Sequence, residues 1–265
     1  MVEFTYKNAD KWAEKVAGCK RGHNQSPIAL SESRAIYDAN LAPISITGTL
    51  GQMDWSVKNN GHTVKVSVED SDFFFNFNKD SLKKYRIISY QLHWSKKPEP
   101  GAEHTIDNKR YDVEMQIVSY NTVYEDVNEA GLHEDGLAYL AILFKERKIN
   151  AKQSTFRQFF NVNLSEIYQI NSQCFMKPVN LAELLKKRVA VDKYFRYFGS
   201  MTAPPCSEVV TWIVITDPVK IDHNEIGQLR SLILYNDDDR CYRPQQLPYQ
   251  RVPMKSFKST GCSCL

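Results

Sequence analysis

The sequence predicts a globular domain that is mainly β and carries a few short helices. Three observations favour this α+β class: apolar and polar residues alternate over several short segments, one run is almost continuously apolar and β-branched, and the composition is that of an ordinary globular protein. The chain has 265 residues, of which 42% are hydrophobic and 25% charged. These values exclude collagen-like and disordered classes, and a chain of this length can bury a large core as one unit.

The alternation of apolar and polar residues predicts half-buried strands. These strands are expected over residues 63–68, 85–94 and 113–120. A period of two places Ser89, Gln91 and His93 on one face of the second strand, and Glu114 with Gln116 on one face of the third. Two such polar faces indicate either contact with solvent or a polar cavity.

A continuously apolar run over residues 209–215 predicts a central strand that is covered on both faces. Helical periodicity is weaker, and it predicts short helices over residues 11–16, 154–160 and 223–234. No repeat or linker divides the chain, so we expect one domain over residues 1–258 and a short tail over 259–265.

Lys and Arg exceed Asp and Glu by a formal net charge of +3, which is too small an excess to favour a nucleic-acid partner. No apolar run is long enough for a transmembrane segment. Residues 1–19 alternate charged and apolar side chains, unlike a signal peptide. If the chain is exported, we expect its signal to have been removed from this numbering.

The six cysteines lack the paired spacing of a structural zinc site. The final tetrapeptide begins at Cys262 and formally fits a prenylation box, although its middle positions are poorly aliphatic. The tail is therefore expected to be a short exposed segment. A cytoplasmic chain with a prenylated Cys262 is the alternative.

Several segments that follow one another along nearly the whole chain resemble the α-carbonic anhydrase family. They are Asn24-Gln25-Ser26-Pro27-Ile28, Asn59-Asn60-Gly61-His62, Gln91-Leu92-His93-Trp94, Glu103-His104-Thr105, Glu114 to Asn121, Asp135-Gly136-Leu137-Ala138, Gly199 to Pro205, Thr211-Trp212 and Tyr242-Arg243-Pro244. This resemblance implies a large, twisted, mostly antiparallel sheet of about ten strands, with a cavity whose floor holds zinc in the family. The function must still be argued from the site.

The zinc ligands of the family are three histidines, two on one strand and one on the next strand. The resemblance places Gln91, His93 and Gln116 at these positions. A carboxamide offers zinc only a neutral oxygen, which is a weaker donor than imidazole nitrogen. We therefore expect these positions to be vestigial and zinc to be absent, so that the chain has no cofactor and is not an enzyme.

Other residues of the family's site are matched in this sequence, and we regard them as vestigial. Thr202 and Glu103 match the pair that orients the zinc-bound hydroxide, and they are expected to remain a buried hydrogen-bonded pair. His62 matches the proton shuttle of the family, but it is expected to be a satisfied polar group of the cavity wall. His104 resembles a buried histidine that tethers neighbouring strands.

The resemblance also identifies the pocket for carbon dioxide. Tyr139 stands where the family has a small valine, and Met201 replaces a leucine beside it. The phenol of Tyr139 adds roughly 100 Å² of surface and should fill the pocket. Val118, Val210 and Trp212 match its apolar wall, although such residues are core residues by default.

Cys19 and Cys206 match the cysteines that exported members of the family join in a disulfide. Such bonds belong to oxidising compartments, so the chain is expected to be secreted, and two buried thiols are the alternative. Cys174 and Cys241 match no partner and should be thiols. Asn163-Leu164-Ser165 fits a glycosylation sequon, a motif that gains meaning only if the chain is secreted.

Three functions remain open at this point. The first is a catalytically inactive binding module for a protein partner, because the chain resembles the metal-free carbonic anhydrase-related proteins and receptor-phosphatase ectodomains. The second is an enzyme, either a residual carbonate dehydratase or an unrelated activity in the cavity. Metal content would separate these two.

The third function is glycosaminoglycan or mineral binding through local positive charge. The candidate segments are Lys83-Lys84, Lys96-Lys97 and Lys186-Lys187-Arg188. Charge runs of this kind are usually only solvated faces of a protein.

Overall fold

The structure is a computed structural model that describes residues 4–20, 22–68, 70–78 and 84–259. The secondary structure is mainly β, as predicted. The strands are β1 (Ala29–Leu30), β2 (Ile36–Tyr37), β3 (Leu41–Thr49), β4 (Trp55–Asn59), β5 (Val64–Ser67), β6 (Asp72–Asn78), β7 (Tyr85–Trp94), β8 (Thr105–Ile106), β9 (Lys109–Arg110), β10 (Val113–Asn121), β11 (Leu137–Arg147), β12 (Gln173–Met176), β13 (Tyr194–Gly199), β14 (Val210–Ile215), β15 (Val219–Asp222) and β16 (Met254–Lys255).

One large sheet of 13 strands organises the molecule. Its main path runs in the order β12-β4-β5-β7-β10-β11-β14-β13-β16-β2, with β15 beside β11, and with β6 between β3 and β7. Most neighbours are antiparallel, but β11 pairs in parallel with β14 and β15, and β16 pairs in parallel with β2. The predicted fold class is confirmed, with a sheet that is larger than the expected ten strands and mixed in direction.

The strands that position the site form where the sequence alternates. β7 covers residues 85–94 as predicted, and β10 pairs with it in antiparallel register. β14 is buried at every residue, which confirms the prediction of a central strand covered on both faces. The long strand β11 was not identified from the sequence, because its first eight residues are all buried and show no alternation.

Two apolar cores lie on opposite faces of the sheet. Alternate residues of β11 divide between them: Leu140 and Ile142 belong to the larger core, whereas Tyr139 and Ala141 belong to the smaller one. We call the face that carries Tyr139 the site face, because Gln91 and Gln116 also lie on it.

The helices are short and peripheral. The α-helices are α1 (Trp12–Lys15), α2 (Ala17–Lys20), α3 (Val127–Ala130), α4 (Phe156–Phe159), α5 (Leu181–Arg188) and α6 (His223–Ser231), and short 3₁₀ helices cover Tyr6–Lys11, Ala151–Gln153, Leu164–Ile167 and Tyr235–Asp237. The three predicted helices are present with shifted ends. α6 begins with a capping box between Asp222 and Glu225, as expected for a helix start, and α5 was not identified from the sequence.

Cys19 and Cys206 form a disulfide with their Cα atoms 4.9 Å apart, which confirms the predicted pairing. Cys174 and Cys241 are buried free thiols, also as predicted. The tetrapeptide that begins at Cys262 lies outside the described residues, and so does most of the tail predicted over residues 259–265.

Across the described ranges, no helix has both the length and the apolar character that crossing a membrane requires.

Candidate functional site

The three residues predicted to occupy ligand positions lie together on the site face. Gln91 on β7 is directly opposite Gln116 on β10. Two residues further along the same strands, His93 is opposite Glu114. The Nε2 atom of Gln91 lies 3.2 Å from the Gln116 Oε1 atom and 3.4 Å from the His93 Nε2 atom. His93 and Gln116 are buried, whereas Gln91 is half-buried. We call these three residues the floor.

The carboxamide of Gln116 is held by hydrogen bonds on both sides. Its Nε2 atom donates to Glu103 at 2.7 Å and to Glu114 at 3.0 Å, while its Oε1 atom accepts from Gln91. Because carboxylates only accept, these contacts assign the nitrogen to the side of the two acids. The orientation of the amide is therefore fixed.

His93 is held in one tautomer. Its Nδ1 atom lies 2.6 Å from the backbone carbonyl oxygen of Cys241, and since a carbonyl can only accept, Nδ1 carries the hydrogen. In the neutral ring the lone pair is then on Nε2, which faces the amide nitrogen of Gln91. The contact with Cys241 was not identified from the sequence, because only the fold brings residue 241 beside residue 93.

The floor does not fit a zinc ion. A structural or catalytic zinc site needs at least three strong donors, usually imidazole, thiolate or carboxylate. The floor has one imidazole, the Gln116 oxygen is engaged by Gln91, and the Gln91 nitrogen cannot ligate a cation. In the part of the chain that the structure describes, no group of three or more His, Cys, Asp or Glu residues could hold a metal ion.

A second network of buried residues lies beside the floor. Glu114 accepts from the backbone nitrogen of His104 and lies 2.8 Å from its Nδ1 atom, and the His104 Nε2 atom lies 2.7 Å from the Tyr197 hydroxyl. Tyr197 in turn donates to Ser26 at 2.9 Å. We call these four residues the rear network. It agrees with the expectation that His104 tethers neighbouring elements.

The two acids that accept from Gln116 are held by different partners. Burial alone would raise the pKa of Glu114, but the charge and hydrogen bonds of His104, with the hydrogen bond from Gln116, lower it to about 2. Glu103 accepts from the backbone nitrogen of Arg243 at 2.8 Å as well as from Gln116. Both acids therefore have donors that do not depend on a metal.

The expected hydrogen bond between Thr202 and Glu103 is absent from the described part of the molecule. Both residues are buried, but the Glu103 carboxylate accepts from Gln116 and Arg243 instead. The expectation was wrong because the amide of Gln116 and the backbone nitrogen of Arg243 are the donors to Glu103, a pairing that only the folded structure reveals. Thr202 thus takes no part in the network that holds the floor.

His62 also differs from the expectation that it is a satisfied polar group. Its ring stacks on Phe4, with centroids 3.9 Å apart, and lies 5.0 Å from the ring of Tyr235. Its Nδ1 atom is buried without a hydrogen-bond partner, and burial lowers its pKa. His62 is packed by aromatic rings, and the residues that pack it were not identified from the sequence.

The residues predicted to line the pocket form one apolar cluster on the site face. Its members are Val118, Tyr139, Val210 and Trp212, with Met201 packed against them. The Tyr139 ring is 5% exposed and lies 5.1 Å from the ring of Trp212 in an edge-to-face contact. Burial raises the pKa of the Tyr139 phenol. Tyr139 therefore occupies apolar space that a valine would leave open.

The lysine runs considered for polyanion binding are partly neutralised. Lys97 forms an ion pair with Asp239, and Lys187 forms one with Glu183. Lys83 lies outside the described residues. Glycosaminoglycan binding stays a prediction, with fewer free charges at these positions than the sequence suggests.

Comparison with known proteins identifies relatives across nearly the whole chain. The family model of the eukaryotic-type carbonic anhydrases matches residues 7–257. Human carbonic anhydrase 7 is 31% identical over 247 residues, which cover 90% of this chain and 90% of that protein. Human carbonic anhydrase 12 is 32% identical over 87% of this chain and 64% of its own length, and human carbonic anhydrase 3 is 27% identical over 96% and 97%.

These relatives contradict the expectation that the chain is not an enzyme. They are all named carbonic anhydrases, and the family is enzymatic. The expectation relied on the glutamines at two ligand positions and on the pocket filled by Tyr139, and it was wrong about the family, which is enzymatic. From the match over residues 7–257 and the identity to human carbonic anhydrase 7, we conclude that the chain belongs to the eukaryotic-type carbonic anhydrase family.

Proposed function

We propose that this member of the family functions by binding a protein partner, and that its floor is held by hydrogen bonds in place of zinc. The observation that carries the proposal is the Gln116 carboxamide, which donates to Glu103 and Glu114 and accepts from Gln91. A buried amide with all these partners is stabilised without a metal, and a zinc ion would have to break the contact with Gln91.

The side chains around the floor support the same proposal. Tyr139 fills the apolar space beside the floor, and it packs on Trp212 at 5% exposure. The floor lacks three strong metal donors, and the pocket is filled. We therefore infer that the domain recognises its partner through its outer surface. The disulfide between Cys19 and Cys206 is compatible with secretion, so we infer that the partner is extracellular.

Zinc-dependent hydration of carbon dioxide is the second candidate, and the relatives favour it because they are named carbonic anhydrases. In this candidate His93 would have to bind zinc together with one or both carboxamide oxygens. That arrangement requires the amide of Gln116 to give up its contact with Gln91, although its bonds to the two acids can remain.

Metal analysis of the purified chain, combined with a hydration assay, separates the two candidates. We expect the wild-type protein, once it has been incubated with zinc, to retain far less than one equivalent after the unbound ion is removed by dialysis. The variant Gln91→His/Gln116→His should retain stoichiometric zinc under the same conditions, and it serves as the positive control. Stoichiometric zinc in the wild type, with hydration that a sulfonamide inhibits, would overturn the proposal.

The binding function is tested directly with extracellular proteins. We expect the immobilised domain to form a saturable complex with one such protein, and free domain should compete for it. Reduction of the Cys19–Cys206 bond should weaken this complex if the fold presents the binding surface. A domain that forms no competable complex with any protein of a comprehensive ectodomain panel would contradict the proposal.

A further inference from the structure

Two segments of the chain carry the Asn-X-Ser pattern to which N-linked glycans are attached. They are Asn24-Gln25-Ser26 and Asn163-Leu164-Ser165. The structure distinguishes them sharply. We propose that Asn163 carries an N-linked glycan and that Asn24 does not.

Asn163 lies in an exposed turn between α4 and the 3₁₀ helix Leu164–Ile167. Asn163 and Ser165 are exposed, whereas Leu164 between them is 2% exposed and anchors the turn in the larger core. The Asn163 Oδ1 atom accepts from the backbone nitrogen of Ser165 at 3.2 Å. No hydrogen bond within the described ranges uses its Nδ2 atom, which is the atom that receives the sugar.

The segment at Asn24 has the opposite environment. Ser26 is fully buried, and its hydroxyl oxygen accepts from the Ser200 backbone nitrogen at 3.0 Å and from Tyr197. Gln25 is buried too, and its Nε2 atom donates to the carbonyl oxygen of Cys206. Asn24 itself is only half-buried, but the serine that the pattern requires belongs to the rear network.

A proline also makes the two segments differ in the unfolded chain. Pro27 follows Ser26 directly, and the ring of a proline restricts the backbone of the preceding residue. Glu166 follows Ser165 and imposes no such restriction. An enzyme that binds the nascent chain therefore meets a restricted serine at position 26 and an unrestricted one at position 165.

The reaction needs an oligosaccharide donor linked to a lipid diphosphate. The Nδ2 atom of Asn163 forms a bond to C1 of the first sugar, the bond between C1 and the diphosphate oxygen breaks, and the lipid diphosphate leaves with the electron pair. The amide proton is lost to a base, and nothing is oxidised or reduced. The donor and its transferase belong to the secretory route, so this inference relies on the export proposed above from the Cys19–Cys206 bond.

The position of Asn163 has a consequence for partner binding. Leu164 and Ile167 pack into the larger core, on the face of the sheet opposite Tyr139 and Trp212. A glycan at Asn163 therefore extends from the side of the sheet that carries the larger core. The glycan would keep a protein partner away from the surface around Asn163.

The test uses the full chain, joined to a secretion leader and produced in eukaryotic cells. Peptide mapping of the secreted protein should show a glycan on the peptide that contains Asn163. Release with peptide N-glycosidase in H₂¹⁸O should convert Asn163 to labelled Asp, while the peptide that contains Asn24 stays unmodified. The variants Asn163→Gln and Ser165→Ala should lose the glycan, and Ser165→Thr should keep it.

The control variant Asn24→Gln should have the glycan content of the wild type. Unmodified Asn163 in a secreted protein whose Cys19–Cys206 bond is formed would overturn the inference, as would a glycan at Asn24. Because mapping of the wild type decides the question alone, a variant that fails to fold does not prevent a decision. Zinc content and partner binding are read separately, so this inference can fail while the proposed function holds.

Discussion

The floor and the rear network are neighbouring buried polar networks that differ in how they are stabilised. They meet on β10, where Gln116 and Glu114 lie two residues apart on the same face. The residues of the rear network are all buried, and the network is built on a carboxylate and an imidazole. The floor relies on neutral amides and opens to solvent at Gln91. The hydrogen bonds around Glu103 and Glu114 are therefore complete although two of the residues that would bind a metal are glutamines.

The largest expected effect is a gain of zinc affinity at the floor. In Gln91→His/Gln116→His, three imidazoles converge, and Glu114 is already placed to accept from the one N–H that a zinc-bound ring at position 116 keeps. We expect zinc affinity to rise by at least about a thousandfold, since single supporting groups alone contribute about 10–100-fold. Competition with a chelator measures it. If the wild type bound zinc with the same affinity as the variant, the floor would not need three imidazoles, and this prediction would be wrong.

The next effect concerns the rear network and stability. Glu114→Gln removes the charge that faces His104 inside the protein, and we expect the free energy of unfolding to fall by about 3–5 kcal/mol. Chemical denaturation measures this loss. The exposed pair variant Glu183→Gln, which breaks the contact with Lys187, is the control and should cost less than about 1 kcal/mol.

The pKa of Glu114 also predicts how the free energy of unfolding changes in acid. The pKa of Glu114 is about 2 in the folded protein, against about 4.3 in an unfolded chain. A lowered folded pKa stabilises the protein above the unfolded value, and this stabilisation is lost as the pH falls from about 4.3 to about 2. Glu114→Gln should lack this component. Denaturation midpoints across this pH range that run parallel in the two proteins would contradict the assignment.

A smaller effect is expected at Tyr139. Tyr139→Val leaves a cavity beside Trp212, and we expect it to lower the free energy of unfolding by about 2–3 kcal/mol. Added to Gln91→His/Gln116→His, it should increase hydration of carbon dioxide by opening the apolar pocket. Stopped-flow assays of the double and triple variants measure the difference. Equal rates would show that the phenol does not block the pocket.

The smallest effects compare the two glutamines. Gln116→Leu removes donors from Glu103 and Glu114, so we expect a loss of about 1–3 kcal/mol in the free energy of unfolding. Gln91→Leu should cost less than about 1 kcal/mol, because this side chain is half-buried and water can replace it. Chemical denaturation of both variants tests the order. A larger loss at Gln91 would mean that the floor is not anchored through Gln116.

The sequence was sufficient to place the floor but not to describe how it is held. Alternation predicted that Gln91 and His93 share one face of β7 and that Glu114 and Gln116 share one face of β10, because the side-chain period of a strand is two. The resemblance to the family then placed Gln91, His93 and Gln116 at one site. The hydrogen bonds of Gln116 depend on the rotamer and flip of one amide, which no pattern encodes. The same limit explains the wrong prediction for Thr202 and Glu103, since the partner that Glu103 accepts from is decided in three dimensions.

Residues from distant parts of the chain were also outside the reach of local patterns. Cys241 supports His93 across 148 residues of sequence, and Arg243 supports Glu103 across 140. The stacking of His62 on Phe4 depends on how the first helical segments fold back over the sheet. In contrast, the Cys19–Cys206 pair was predictable because both cysteines stand within recognisable motifs.

The paired amides at the floor have a genetic consequence. A glutamine codon becomes a histidine codon by one base change, so an amide floor and an imidazole floor are two point mutations apart. A single change at position 116 alone would remove the amide that now holds Gln91 and Glu103 while leaving only two imidazoles. Because that change also removes a hydrogen bond to Glu114, selection would oppose it as a first step, whereas a first change at position 91 would cost little and is the easier route between the two floors.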